Sequence, residues 1–127
     1  MNQYIWINEA QTKAIHGQQI SLFGGVSGIL DEGKLSSALA RPQNLYFYNS
    51  NVNIYQLAAA YGWGLVKNHP FIDGNKRCGF VVMAVFLKVN GFDLIVPETE
   101  VVKVMLALAA GEMSEEKLVA WLLKNSH

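Results

Sequence analysis

The stretch that decides the fold is HPFIDGNKRCGFVVMAVFL, residues 69–87. From Gly79 to Leu87 it is apolar at every position, so a helix built from it has no polar side. A helix that is apolar all round is typical of the centre of a core. The stretch therefore predicts a central helix from about Gly74 to Val89, with the cations Lys76 and Arg77 in its first turn.

Further helix starts lie on both sides of this segment. Asn8 is followed three residues later by Gln11, the spacing of a capping box. Polar residues that open helical patterns also occur at Asp31, Asn51 or Asn53, Thr99 and Ser114. We predict a mainly α protein in one domain, residues 1–127: a compact bundle of about six helices around a central buried helix, with a small flap or hairpin.

The hairpin is predicted from the aromatic stretch NLYFYNSN, residues 44–51. Pro42 lies just before it and is expected to stop the second helix. Leu45 to Tyr48 are then bounded by Asn and Ser, a composition typical of a strand or hairpin. A half-buried strand that belongs to the core is the alternative to an exposed one.

Composition restricts the class of protein. Ten basic and ten acidic residues give a net charge of zero, which argues against binding nucleic acid or membranes through bulk charge. The single cysteine, Cys78, favours a reducing compartment, and no signal peptide or membrane-length apolar run occurs. We expect a cytoplasmic protein. A hydrophobic fraction of 51% with 16% charged residues predicts apolar surface that a partner covers.

The charged residues before the central helix fit a polyphosphate. A helix amino terminus attracts anions, so Lys76 and Arg77 oppose the helix dipole unless an anion also binds there. Gly74 allows a ligand to approach the backbone closely. Arg77 can hold phosphate oxygens with two parallel hydrogen bonds, while Lys76 acts as a point charge.

Two further residues of the loop supply the remaining chemistry. Asp73 is a candidate Mg²⁺ ligand, since Mg²⁺ takes one or two carboxylates together with substrate phosphates. His69 is a candidate general base. Phosphoryl transfer requires positioning, charge neutralisation and a group that accepts the proton of the nucleophile. The loop contains a residue suited to each task.

Other interpretations of these residues remain open. Asp73 could be a helix cap, His69 a packed or capping histidine, and the two cations a solvated helix end, which would give a non-catalytic module that binds an anion or a partner. A helical nucleic-acid binder is disfavoured by the neutral charge. His16 and His127 have no zinc-ligand spacing, no Walker phosphate loop occurs, and Cys78 is expected to lie in the core.

HPFIDGNKR resembles the signature HPFx[DE]GN[GK]R of the Fic/Doc family. Lys76 stands where the adenylyl-transferring Fic branch has a glycine, and it resembles the Doc (death-on-curing) branch of toxin–antitoxin toxins. FGGVSGILDEGKLSSALARP, residues 23–42, is similar to the amino-terminal region of Doc proteins. Gly74 stands where many Doc proteins carry alanine.

The resemblance implies a compact all-α fold with a flap beside a nucleotide site, at the position of Leu45, Tyr46, Phe47 and Tyr48. An exposed strand edge there would align an extended segment of the substrate. The site residues follow from the match to the motif. The resemblance implies His69 as base, Phe71 as loop anchor, Asp73 as Mg²⁺ ligand, and an anion-binding nest and phosphate clamp made by Gly74, Asn75, Lys76 and Arg77.

The resemblance also implies the reaction. In the Doc branch the lysine is associated with an inverted orientation of the bound nucleotide, so that the γ-phosphate of ATP is transferred. The family target is a threonine of elongation factor Tu, and its phosphorylation stops translation. Adenylyl transfer through the same loop is the alternative. The inhibitory motif [ST]xxxE[GN] of self-restrained Fic proteins does not occur here. We therefore expect inhibition in trans by an antitoxin whose disordered tail folds into an apolar groove.

Overall fold

A computed structural model describes residues 3–127, so the first two residues of the predicted domain lie outside the described part. The mainly α class and the expected number of helices are confirmed. The helices are α1 (Glu9–Phe23), α2 (Glu32–Tyr48), α3 (Ile54–Asn68), α4 (Asn75–Val89), α5 (Glu98–Ala109) and α6 (Glu115–Asn125). Within residues 3–127, no helix is both long and apolar enough to span a bilayer.

Local capping explains where α1, α2, α3 and α6 begin, whereas α4 and α5 have no side-chain cap. Asn8 accepts a hydrogen bond from the backbone N–H of Gln11, and the Gln11 side chain accepts one from the backbone of Asn8. Asn53 makes the same reciprocal pair with Gln56. Asp31 and Ser114 each accept a hydrogen bond from a first-turn N–H, as predicted. These caps satisfy donors that the helix itself leaves unpaired.

The predicted place of α4 in the core is confirmed, although α3 contacts more of the other helices and has more buried residues. It packs against α1, α3 and α5, and the side chains of Val82, Met83 and Phe86 are inaccessible to solvent. On its other side α3 packs closely against α2. A Cβ atom added to Gly64 would lie 3.2 Å from the backbone oxygen of Ala38, so the glycine permits this close approach.

The prediction for residues 42–48 is wrong in two respects. Pro42 lies inside α2, which continues to Tyr48, and Leu45–Tyr48 form the last turns of that helix instead of a strand. The buried face of Leu35, Ala38, Leu39 and Pro42 continues with the partly buried Leu45 and Tyr46. That spacing of three and four residues is helical. Burying this face against α3 outweighs the loss of one helical hydrogen bond at the proline.

Candidate active site

The loop between α3 and α4 carries the predicted site residues, and His69 ends α3. Its backbone has a φ of 51°, in the left-handed region, and its side chain is exposed. Pro70 disfavours right-handed helical geometry at the preceding residue, and histidine is one of the residues that tolerates the left-handed region. The chain therefore turns sharply at His69 and leaves the imidazole accessible.

The Asn75 side chain holds this loop together. Its oxygen accepts a hydrogen bond from the backbone N–H of Phe71 (3.0 Å), and its amide nitrogen donates to the carbonyl oxygen of Phe71 (2.9 Å). Both residues are buried, at 4% and 1% exposure. The resemblance to the Fic/Doc signature implied a role for Asn75 in the phosphate nest, but its amide group is used within the loop. The part of Asn75 that could still belong to the predicted nest is its backbone N–H, at the first position of α4.

Gly74 forms the amino-terminal cap of α4. Its φ of 77° places it in the left-handed region, and no side chain caps the helix there. Lys76 is exposed and Arg77 is partly buried in the same first turn. The uncapped N–H groups, the helix dipole and the two cations together favour an anion at this helix start.

Asp73 precedes this helix start and is held by two backbone donors. Its carboxylate accepts hydrogen bonds from the N–H of Gly74 (2.8 Å) and of Val26 (3.1 Å). The hydrogen bond from Val26, and then that from Gly74, lowers the pKa of Asp73, and the charges of Arg77 and Lys76 act in the same direction. The carboxylate is therefore ionised at neutral pH, as a metal ligand must be.

The donor set around Asp73 fits Mg²⁺ only when phosphates share the ion. Within residues 3–127, no group of three or more His, Cys, Asp or Glu side chains could hold a metal ion. Asp73 would supply one carboxylate. That is the arrangement in which Mg²⁺ keeps waters and binds substrate phosphate oxygens, unlike a cage made wholly of protein ligands.

The carboxyl end of α1 positions Arg77. The guanidinium donates a hydrogen bond to the carbonyl oxygen of Gly24 (3.0 Å) and a longer one to that of Gln19 (3.4 Å). It also lies over the ring of Phe23, 5.8 Å from the centroid. Because the guanidinium has more donors than these contacts use, it can hold an anion while it remains fixed to α1.

The segment that flanks the loop is Gly24–Leu30, between α1 and α2. Ile29 forms an antiparallel bridge with Phe71. The N–H of Leu30 donates to the oxygen of Pro70 (2.7 Å), and the N–H of Ile72 donates to that of Gly28 (3.1 Å).

The prediction of a strand-like flap at residues 45–48 is wrong, because these residues are helical and a helical turn has no strand edge that could pair with a substrate.

Cys78 is confirmed as a core residue. Its side chain is inaccessible, and burial raises the pKa of the thiol to about 12. A thiol that stays protonated at neutral pH is a poor nucleophile.

An apolar groove of about 590 Å³ begins at the same helix start. It lies between α1, α4 and α5, and its lining includes Lys76 and Arg77. Several of its apolar side chains are more than half exposed: Leu22, Phe23, Val102 and Leu106. Exposed apolar surface of this kind is typical of partner interfaces and of ligand-binding grooves.

Sequence reasoning missed one contact of the loop. His16 was considered only as a zinc ligand, yet it lies in α1 and its Nε2 is 2.7 Å from the backbone oxygen of Asp73. A single histidine in a helix whose buried residues are all polar gives no pattern from which that contact could be predicted.

Comparison with known proteins places the chain in a family. The model of the Fic/DOC family matches residues 6–87, which contain α1, α2, α3, the loop before α4 and most of α4. The protein kinase doc of Escherichia phage P1 is 28% identical over 108 residues, which cover 85% of this chain and 85% of that protein. Toxin Doc of Mycolicibacterium smegmatis is 38% identical over 73 residues, which cover 57% of this chain and 56% of that protein. The chain belongs to the Fic/DOC family, and the relatives it resembles are Doc toxins.

Proposed function

We propose that the protein is a Doc-like toxin that transfers the γ-phosphate of Mg·ATP to a serine or threonine hydroxyl of a translation factor, with elongation factor Tu as the target. The observation that carries this proposal is the arrangement of the loop. One short segment presents an exposed histidine, an ionised aspartate and an uncapped helix start with two cations. Similarity to a protein named protein kinase doc supports the same reaction class.

In this mechanism His69 accepts the proton of the acceptor hydroxyl. The hydroxyl oxygen forms a bond to the γ-phosphorus while the bond to the β,γ-bridging oxygen breaks, and ADP leaves. Arg77 and Lys76 neutralise charge on the phosphates, and the N–H groups of the α4 start bind their oxygens. Mg²⁺ held by Asp73 and the phosphates would add to this neutralisation.

The choice between phosphate and AMP rests on Lys76. Its side chain is exposed in the first turn of α4, beside Arg77. A lysine there fills space that a glycine would leave open to the α- and β-phosphates, and it adds charge to the clamp. We therefore favour γ-phosphate transfer, with adenylyl transfer as the second candidate.

The distinguishing experiment uses ATP labelled at the α- or the γ-phosphate. The protein and its His69→Ala variant are incubated with Mg²⁺, labelled ATP and purified elongation factor Tu, and in parallel with bacterial lysate. Label from the γ position only, present with the wild type and lost in the variant, is expected. Label from the α position would establish adenylyl transfer. No His69-dependent label from either would contradict both enzyme functions and leave the non-catalytic module.

We further propose that an antitoxin inhibits the toxin in trans by placing an amphipathic helix in the apolar groove between α1, α4 and α5. The groove borders Lys76 and Arg77, so a helix that fills it would lie next to the phosphate clamp. A disordered tail that folds on binding can cover such a surface, with its apolar side chains directed inward.

Leu106→Glu is expected to weaken binding of the cognate antitoxin by at least about tenfold, because a buried, unpaired carboxylate is costly. Leu106 is 53% exposed in the free protein, so the substitution leaves the core intact. Leu123→Glu in α6 is the matched control, since Leu123 is 56% exposed and does not line the groove. Titration calorimetry with the antitoxin measures both. Equal affinities for the two variants would exclude the groove as the docking site.

A further inference from the structure

His16 lies beneath the loop, in the middle of α1. It is 4% exposed although it is polar, and the other buried residues of α1, Thr12 and Gln19, are polar as well. Its ring stacks on the ring of Phe71, with centroids 3.7 Å apart and an angle of 5° between the planes. A buried imidazole of this kind requires a hydrogen-bond partner.

The partner is the backbone of Asp73. Nε2 of His16 lies 2.7 Å from the Asp73 carbonyl oxygen. Because a carbonyl oxygen only accepts, the Nε2 atom must carry the hydrogen and donate. The contact joins residues 57 positions apart in the sequence, so it ties α1 directly to the residue before α4.

The neighbouring geometry shows how closely the loop lies on α1. A Cβ atom on Gly74 would lie 3.1 Å from the side chain of Ile20 and 3.6 Å from Nε2 of His16. The Asp73 carboxylate is held from the other side by Val26. The position of the Asp73 backbone therefore depends on His16, while the direction of its carboxylate depends on Val26 and Gly74.

We infer that His16 is a positioning residue for Asp73: its Nε2–H fixes the Asp73 backbone and so presents the carboxylate to Mg²⁺ of the nucleotide complex. This rests on the proposed function, in which Asp73 holds the metal. Replacing a residue that holds a metal ligand in place without touching the metal typically lowers metal affinity by about 10- to 100-fold.

Two variants separate the hydrogen bond from the stacking. His16→Phe keeps a flat ring against Phe71 but cannot donate, and His16→Gln keeps a donor but loses the stacked ring. For His16→Phe, which keeps the ring contact but loses one hydrogen bond, we expect only a small decrease in the unfolding midpoint and about tenfold weaker Mg²⁺ affinity in the presence of a non-hydrolysable ATP analogue. For His16→Gln we expect a lower midpoint and Mg²⁺ affinity close to that of the wild type.

Titration calorimetry of Mg²⁺ binding and thermal unfolding measure these effects without relying on activity. Thr12→Val is the control, because Thr12 is also buried in α1 but its hydroxyl donates to the carbonyl oxygen of Asn8, within α1 and its cap. It should lower stability and leave Mg²⁺ affinity unchanged.

The possible results are distinguishable. A merely structural His16 predicts the opposite order of Mg²⁺ affinity: His16→Phe would then bind Mg²⁺ more tightly than His16→Gln, in parallel with its higher unfolding midpoint, and that result would overturn the inference. Wild-type Mg²⁺ affinity in His16→Phe would also overturn it. A wild-type protein whose nucleotide binding does not respond to Mg²⁺ would instead overturn the proposed function, and the inference with it.

Discussion

Replacing His69 with asparagine is expected to lower the rate of phosphate transfer by about 10²- to 10⁴-fold, the usual contribution of a general base. Asparagine cannot accept the proton of the hydroxyl, yet it tolerates the left-handed backbone that His69 adopts at a φ of 51°. The imidazole is exposed, so its removal leaves no cavity in the core. The rate with γ-labelled ATP and the unfolding midpoint are the two measurements.

His69→Ala provides the comparison. Alanine fits the left-handed region less well, so this variant should be less stable than His69→Asn by about 1 kcal/mol while losing the same activity. If activity followed stability across the two variants, the histidine would be a structural cap and not a base. Retention of more than about a tenth of the wild-type rate by His69→Asn would also contradict the assignment.

Asp73→Asn is expected to raise the Mg²⁺ concentration needed for half-maximal transfer by more than about tenfold, because the carboxylate proposed to bind the metal is lost. The asparagine oxygen can still accept a hydrogen bond from Val26 or Gly74, so the loop should keep its conformation. The measurement is the transfer rate as a function of Mg²⁺ concentration.

Asp31→Asn is the matched control for this variant. Asp31 caps α2 by accepting a hydrogen bond from the N–H of Lys34, and its own N–H donates to the oxygen of Pro70 in the loop. Asparagine caps a helix as well as aspartate does, so the same charge is removed near the site without loss of the cap. An equal Mg²⁺ effect in both variants would show that Asp73 acts through net charge and not as a ligand.

The direction of the pKa shift of Asp73 can also be checked. Its pKa is lowered from 3.8, first by the hydrogen bond from Val26. Because the pKa of Asp73 is lower in the folded state than in the unfolded state, the ionised carboxylate stabilises the folded protein. This contribution is complete above the pKa of the unfolded state and is lost as the pH falls through the pKa of the folded state. A titration of the Asp73 carboxyl by NMR should therefore have its midpoint below that of an unperturbed aspartate, and Val26→Pro, which removes the donor, should raise it.

The sequence predicted much of the fold because helix capping is local. Asn8 with Gln11, and Asn53 with Gln56, satisfy each other within one turn, so no distant residue affects the result. The place of α4 in the core was also predictable from its apolar composition, although one side of the helix, with Phe80 and Val81, lines the groove instead of being fully buried. Pro42 was misinterpreted because its usual effect on an isolated helix was applied to a helix whose buried face continues beyond it.

The sequence by itself determined the capped starts of α1, α2, α3 and α6 and the chemical groups available in the loop at residues 69–77, whereas α5 begins at Glu98 and not at the predicted Thr99. Only the tertiary structure decided how those groups are used. The Asn75 amide bonds to Phe71, His16 bonds to the backbone of Asp73, and Gln19 accepts a hydrogen bond from Arg77. The glycine-rich residues 24–30 lie along the loop, where the sequence had predicted the aromatic residues 45–48. The physical reason is the range of the interactions. A cap is formed within one turn of chain, whereas each of these contacts, apart from that of Asn75, requires α1 and α4 to be packed together first.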